Sequence, residues 1–277
     1  MAEGHAVRRW VRTLHPLVGE PLLHVQLTRR WADRVGALVG GHLTAVEARG
    51  KHMLLHLSTG GAIHCHAMQY GSWQVGEPGM ERRKEDKWVR VWLLTPNHEA
   101  VFYHGPVVEL LTAEELATHP ALLSLGPDVL DEPFDRAAAF ARVQAQGARP
   151  IGDTVLDQRV MAGIGNIFKS EGLFLAGIDP RRPAQEVNRA AMDRYWDMTI
   201  PLMRAGIETW GPTKTLPVAL RGPTSRSWHW VYNRNGQACW RCGSKISRIR
   251  QGELQRATFF CPTCQVDNAA PDRVESA

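Results

Sequence analysis

The chain has 277 residues, 44% of them hydrophobic, with 33 Lys or Arg against 28 Asp or Glu and a formal charge of +5. That length allows one large domain or two ordinary ones with real cores, and the mild positive balance favours an acidic partner. No run of about 20 apolar residues offers a membrane span. The start, Met1-Ala2-Glu3-Gly4-His5, lacks the apolar core of a signal peptide.

Gly4 to Leu17 reads as a helix, because Val7, Trp10, Val11 and Leu14 fall at i, i+3, i+4 and i+7. Gly19 and Pro21 end it. Residues 21–28 and 42–103 read mostly as strands. Lys51–Leu57 and Ala62–His66 flank a Ser58-Thr59-Gly60-Gly61 turn, and Trp88–Leu94 and Ala100–Tyr103 flank Pro96-Asn97-His98-Glu99. So many strands with tight turns predict a β-sandwich or barrel over roughly the first 120 residues. Trp10, Trp88 and Trp92 fit its core faces, and Cys65 reads as a buried free thiol in an apolar strand.

The second half changes character. Thr112-Ala113-Glu114-Glu115 is a capping box opening a short helix. Phe134–Ala145, Asp153–Met161, Asn166–Leu175 and Glu186–Met203 read as helices, the last with Pro201 near its end. Gly126-Pro127 and Gly147-Ala148-Arg149-Pro150 mark a boundary between the halves.

Four cysteines follow, Cys239, Cys242, Cys261 and Cys264, as two C-x-x-C pairs separated by eighteen residues. Two tight turns, each presenting two thiolates, match one structural Zn2+. Two disulfides or a redox pair are the competing assignments. Metal-bound cysteines and one free thiol imply a reducing compartment, which places the chain in the cytoplasm. Between the pairs, Ser247–Arg256 reads as two strands joined at Gln251-Gly252. From Arg221 to Phe260 there are eight Lys or Arg against one acid, Glu253. A basic finger of this kind points to a phosphate backbone. Trp228 and Trp230 are placed to pack the finger. The residues from Asn268 read as a disordered tail.

Leu156 to Asn166 carries the next signal, a helix, two glycines, then Asn166 opening another helix. Glycines let the main chain approach a ligand, and Asn166 can cap a helix whose dipole attracts phosphate. An ordinary helix–turn–helix would look the same.

The stretch "LDQRVMAGIGNIFKSEGLFLAGIDP" at 156–180 resembles the helix–two-turns–helix motif of the formamidopyrimidine-DNA glycosylase and endonuclease VIII superfamily. "RATFFCPTCQ" at 256–265 is similar to that family's zinc finger, and "AEGH" at 2–5 and "GKHMLLHL" at 50–57 match as well. The resemblance runs over residues 2 to about 266. It implies an α+β fold: an N-terminal β-sandwich domain with a helix (1–125), a linker (126–150), a helix–two-turns–helix domain (151–230), a zinc finger (231–267) and a tail (268–277). It also implies a monomer that repairs damaged DNA at the bacterial nucleoid.

Members of this family excise damaged bases and cut the strand with an N-terminal amine. An α-amine titrates at about 7.7–8.0 against about 10.4 for Lys, so far more of it is free nucleophile at neutral pH. By position, the resemblance implies Ala2 as nucleophile once Met1 is removed, Glu3 as general acid and Lys51 as a phosphate contact assisting catalysis. Asn166 and Arg256 would clamp phosphates. Met68, Gln69 and Tyr70 would fill the gap left by the flipped nucleotide, as in the endonuclease VIII branch. Two departures matter. Most of the family has proline at position 2, whose iminium is permanently charged, whereas the imine from Ala2 must be protonated. Weaker or altered lyase action is therefore expected, and a lesion-binding protein without chemistry is the alternative. Phe102–Glu109 also lacks the Asp-x-Arg-Phe-Gly pattern of the oxoguanine-excising branch, which points to oxidised pyrimidines. A zinc-ribbon transcription factor is a third reading, but it leaves Glu3 and Lys51 unexplained. No His-x-x-x-His spacing links His5, His64, His66 or His104.

Overall fold

The strand-rich first half resolves into eight antiparallel strands in a computed structural model of the chain. The structure describes residues 2–266 except 210, 212 and 221–226, and of Val218 the backbone only. The expected tail (268–277) and two of the finger's basic residues, Arg221 and Arg226, lie outside the described residues. Two units divide after Asp131, within the span 126–150.

The first unit opens with α1 (Gly4–Leu14), continued by a 3-10 turn to Leu17. Val7 and Leu14 are buried and Trp10 and Val11 pack partly buried beside them, the stripe its spacing requires. The strands are β1 (His24–Leu27), β2 (Leu43–Arg49), β3 (His52–Leu57), β4 (Ala62–His66), β5 (Ser72–Gly76), β6 (Val89–Leu94), β7 (Glu99–Tyr103) and β8 (Val107–Leu111). They form two sheets, ordered β1-β6-β7-β5 and β2-β3-β4-β8. Val91, Leu93 and Phe102 from one and Met53, Leu55, Ile63 and Leu110 from the other share one core, so the fold is a sandwich. Cys65 is buried in it, and burial pushes its thiol pKa up. Residues 29–38 form an extended 3-10 segment that turns Trp31, Val35 and Leu38 onto the core. Trp88 departs from its expected core position. It is 37% exposed and lies against His104.

After β8, Thr112 and Glu115 exchange both capping-box bonds, at 3.2 and 2.8 Å, and open α2 (Ala113–Ala117). Next comes α3 (Pro120–Leu123), whose Leu122 covers Leu54 and Ala62 on the outer face of β3 and β4.

The second unit holds α4 (Arg136–Gln144), α5 (Ile151–Thr154), α6 (Asn166–Leu175) and α7 (Arg189–Glu208, with Pro201 inside). Asp135 and Asn188 cap α4 and α7, each accepting a backbone N–H at 2.9 Å. The helix expected at 153–161 shrinks to α5. The Asp157 carboxylate takes the Arg159 N–H, and the Gln158 side chain takes the Gly163 N–H, both at 3.0 Å. Side chains that bind nearby backbone donors compete with a helical ladder. All of α6 but Ile167 and Leu175 is buried, and it lies against α7. At Gly172 a Cβ would come within 2.2 Å of the Thr199 hydroxyl, so only glycine permits that approach. The finger hairpin is β9 (Ser247–Gln251) and β10 (Arg256–Phe260). Gln251 is still paired, with Arg256, so the turn runs over residues 252–255 and not through Gln251-Gly252. Among the described residues no helix is long and apolar enough to cross a membrane.

Candidate active site

Glu3 is the N-cap of α1, extended at φ −116° and ψ 170°, and its carbonyl accepts from Ala6 and Val7 at 2.9 and 3.2 Å. Its side chain makes no capping bond, yet the residue is 0% exposed. The helix dipole favours an acid at this position even without a capping bond, and acids are almost never fully buried without a partner. Beside it, the Ala2 nitrogen donates to the Met68 carbonyl at 3.3 Å. With Met1 attached this nitrogen is a peptide N–H, and removal of Met1 converts it to an amine.

Met68 lies in the β4–β5 connection, residues 67–71. Ala67 is buried at its base, the Gly71 N–H closes onto the Ala67 carbonyl at 2.8 Å, and Met68 takes a positive φ of 49°. The Met68 N–H also lies 3.1 Å from His66 Nδ1. Above this base Met68 is 51% and Tyr70 75% exposed, with Gln69 exposed between them. Tyr70 is therefore not a core residue. The loop whose Met68 carbonyl takes the Ala2 N–H thus exposes three flexible or flat side chains to solvent.

Lys51 sits in the β2–β3 turn, which needs the positive φ of 58° at Gly50. The turn is fixed from a distance. Asp128 Oδ2 accepts the Gly50 N–H at 2.9 Å and pairs with Arg8 on α1 at 3.1 Å, while Oδ1 accepts the Leu130 N–H at 2.9 Å. One buried carboxylate thus ties the Lys51 turn to the helix that follows Ala2 and Glu3. Sequence reasoning passed over both Asp128 and Arg8. The Gly126-Pro127 pair before Asp128 was readable only as a boundary. Near the same helix start, burial holds the His5 imidazole down to about 4, with Arg9 adding to the effect.

In the second unit, Gly165 and not Asn166 is the N-cap of α6. Asn166 is the first helical residue, and its Nδ2 donates to the Ala257 carbonyl of β10 at 2.8 Å. Lys169 Nζ reaches the same carbonyl at 3.3 Å. The α6 N-terminus is therefore bolted to the finger one residue from Arg256, and these two candidates are brought together. Asn166 Oδ1 is buried without a hydrogen-bond partner. Arg256 lines a groove of about 490 Å³ with Arg149, Asp157 and Arg159. Asp157 binds the Arg159 guanidinium at 3.0 and 2.7 Å, and this pairing holds its carboxyl well below the usual range. Arg159 belongs to the sequence motif but was not singled out from it.

Glu171 on α6 orients the segment entering the finger. Its carboxylate accepts backbone N–H bonds from Trp230, Val231 and Tyr232 at 2.8, 2.9 and 2.7 Å, and a bond from the Thr215 hydroxyl. Trp230 packs against Phe174, as expected of a packing residue.

The four cysteine sulfurs all lie within 4.8 Å of one another, with Cys239–Cys264 at 3.9 Å and Cys242–Cys261 at 3.4 Å. Four thiolates at about 2.3 Å from Zn2+ would sit about 3.8 Å apart, so one tetrahedral ion fits. Both knuckles donate a backbone N–H to their first sulfur, Arg241 to Cys239 and Cys264 to Cys261, at 3.4 Å each. Such bonds support thiolates, not disulfides.

Family descriptions match three stretches: the formamidopyrimidine-DNA glycosylase N-terminal domain over residues 1–106, the formamidopyrimidine-DNA glycosylase H2TH domain over 125–217, and the zinc finger found in FPG and IleRS over 236–266. The chain is 37% identical over 244 residues to a formamidopyrimidine-DNA glycosylase of Methylococcus capsulatus, covering 85% of this chain and 88% of the relative. It is 34% identical over 279 residues to a probable endonuclease 8 2 of Streptomyces coelicolor, covering 97% and 95%. An endonuclease 8 of Escherichia coli is 31% identical over 276 residues, covering 96% and 100%. The solved structure of a Lactococcus lactis formamidopyrimidine-DNA glycosylase, non-covalently bound to DNA with an AP site, superposes with a TM-score of 0.77 at 21% identity, over 95% of this chain and 99% of that one.

Proposed function

The chain belongs to the formamidopyrimidine-DNA glycosylase and endonuclease 8 family and is a DNA glycosylase/AP lyase of base-excision repair, and on that premise we propose that it excises oxidised pyrimidines with the amine of Ala2. The observation that carries this reading is the Ala2 nitrogen under the Met68 carbonyl at 3.3 Å, with the enclosed Glu3 beside it.

Loss of Met1 frees the amine. Its lone pair attacks C1′ of a flipped nucleotide, the C1′–N bond breaks, and the base leaves with that electron pair and takes up the proton the amine nitrogen sheds. Glu3 delivers a proton to the ribose oxygen as the ring opens and the Schiff base forms. Elimination of the 3′ and then the 5′ phosphate follows. Because Ala2 gives a secondary imine, each elimination waits on its protonation, and lyase action lags behind base excision. Lys51, presented by the Gly50 turn, holds a phosphate flanking the lesion. Met68, Gln69 and Tyr70 occupy the space the nucleotide vacates, at roughly 1–3 kcal/mol of restored stacking per base. Asn166 and Arg256 hold phosphates from the second unit. One chain acts alone.

The endonuclease 8 branch, and with it the choice of pyrimidines, is favoured by the β7–β8 connection. It is the short turn His104-Gly105-Pro106, closed by Gly105 N–H to the Tyr103 carbonyl at 2.8 Å, with no Arg to read an opposite cytosine. The test is single-turnover cleavage of thymine-glycol and 8-oxoguanine duplexes by the wild type and Glu3→Gln. Excision of thymine glycol, lost in Glu3→Gln with binding retained, supports the assignment. Preference for 8-oxoguanine, or full turnover by the variant, overturns it.

A further inference from the structure

The outer face of the β2-β3-β4-β8 sheet gathers imidazoles that the reaction does not use. Register sets His52 opposite His66, and His64 opposite Glu109. The capping box after β8 then turns the chain back, so that His119, the N-cap of α3, closes over the same spot. His64 Nδ1 lies 2.7 Å and His119 Nε2 3.1 Å from one oxygen, Glu109 Oε2, and the three ligand atoms are all within 4.8 Å of one another. His64 is 1% exposed, while Glu109 and His119 are half-buried at the mouth.

We propose that His64, Glu109 and His119 form a second metal site, separate from the cysteines of the finger, for a divalent transition ion of the Zn2+ class. Two imidazoles and a carboxylate are a common donor set for that ion, with the fourth position left to water. Ligand atoms about 2.0–2.1 Å from a tetrahedral ion stand about 3.3 Å apart, so the His64–Glu109 separation would widen by about 0.6 Å and the His119–Glu109 separation by about 0.2 Å to admit one.

The outer shell is also built. His64 Nε2 lies 2.9 Å from His52 Nδ1, so a metal on Nδ1 leaves an Nε2–H to donate to His52. A ligating imidazole nearly always has such a partner. An occupied site would pin the segment 113–123 to the sheet. It would also fix the ring of His52, the residue that follows Lys51.

The test counts metal in the full-length chain, with no DNA present, so its outcome is independent of the proposed reaction. Zinc is measured by mass spectrometry after equilibration with excess Zn2+ and desalting, for the wild type, His119→Ala and Glu109→Gln, with circular dichroism as the check on folding. Two ions per chain in the wild type, falling to one in both folded variants, is the expected result. Cobalt loading separates the sites without any variant. The second equivalent should give visible bands without the thiolate charge-transfer absorption of the first. A single equivalent in the wild type, a second equivalent with a thiolate spectrum, or two equivalents in the folded variants would overturn the site and leave only a hydrogen-bonded cluster.

Discussion

Replacing Asp128 with Ala should loosen the turn that carries Lys51 without touching any residue proposed to meet DNA. Asp128 is 7% exposed, and its carboxylate holds the Gly50 and Leu130 N–H groups at 2.9 Å each and Arg8 at 3.1 Å. A hydrogen bond to a charged group contributes about 1.5–3 kcal/mol, and a buried donor left without an acceptor costs about 1–3 kcal/mol. The Arg8 pairing adds little, because Arg8 is 26% exposed and keeps Asp131 at 2.5 Å. Two stranded backbone donors then give a loss of about 3–4 kcal/mol, allowing for non-additivity. At about 4 °C per kcal/mol for a unit of this size, the first transition should fall by roughly 12–16 °C. Asp128→Asn keeps one acceptor oxygen and should lose about half as much. Calorimetry and urea denaturation measure the stability, and single-turnover kinetics at saturating enzyme measure the chemistry, which should slow more than binding weakens. A variant within about 0.5 kcal/mol of the wild type, with unchanged rates, would refute the role of Asp128 as the anchor of this turn.

Arg256→Ala should lower the slope of log K against log salt on lesion DNA by about 0.9, one phosphate on a duplex, and an unchanged slope removes the contact. Glu171→Ala strands three backbone N–H groups at a residue that is 0% exposed. It should cost about 3–5 kcal/mol and open residues 227–232 to proteolysis while zinc stays bound, and wild-type resistance would count against this carboxylate as the organiser. Glu20 is held down to about 2, chiefly by its bond from the Thr95 hydroxyl, with Asn97 and His98 adding to it. Its folded pKa is below the unfolded value of about 4.3. The stabilisation is therefore complete above that pH and is lost as the pH falls towards 2. Glu20→Gln should flatten the acid limb of stability measured by urea titration at successive pH values, and an identical limb would show that the partly exposed group contributes nothing.

Local chemistry was the legible part of this chain. The α1 stripe, the bounds of β4, the Thr112 capping box, the Asn166–Leu175 helix and the cysteine knuckles each follow from residues within a few positions of one another. Errors arose where side chains compete with the backbone. Asp157 and Gln158 dissolve a helix that composition supports, and Gly165 takes the cap that Asn166 was expected to supply, because the Asn166 amide is drawn to the Ala257 carbonyl 91 residues away. Asp128 stayed invisible for a related reason, since its partners lie 78 and 120 residues distant. The cluster of His64, Glu109 and His119 needs a strand register and a helical turn before it exists at all, so no ligand spacing announces it.

The most direct test concerns the nitrogen of residue 2. The mature chain is incubated with abasic-site DNA and borohydride, and the trapped adduct is digested and sequenced by mass spectrometry. A covalent sugar remnant on the α-nitrogen of Ala2, with Met1 gone, is the predicted result. No adduct from a chain whose N-terminus is Ala2, or an adduct on a lysine side chain, would contradict the account.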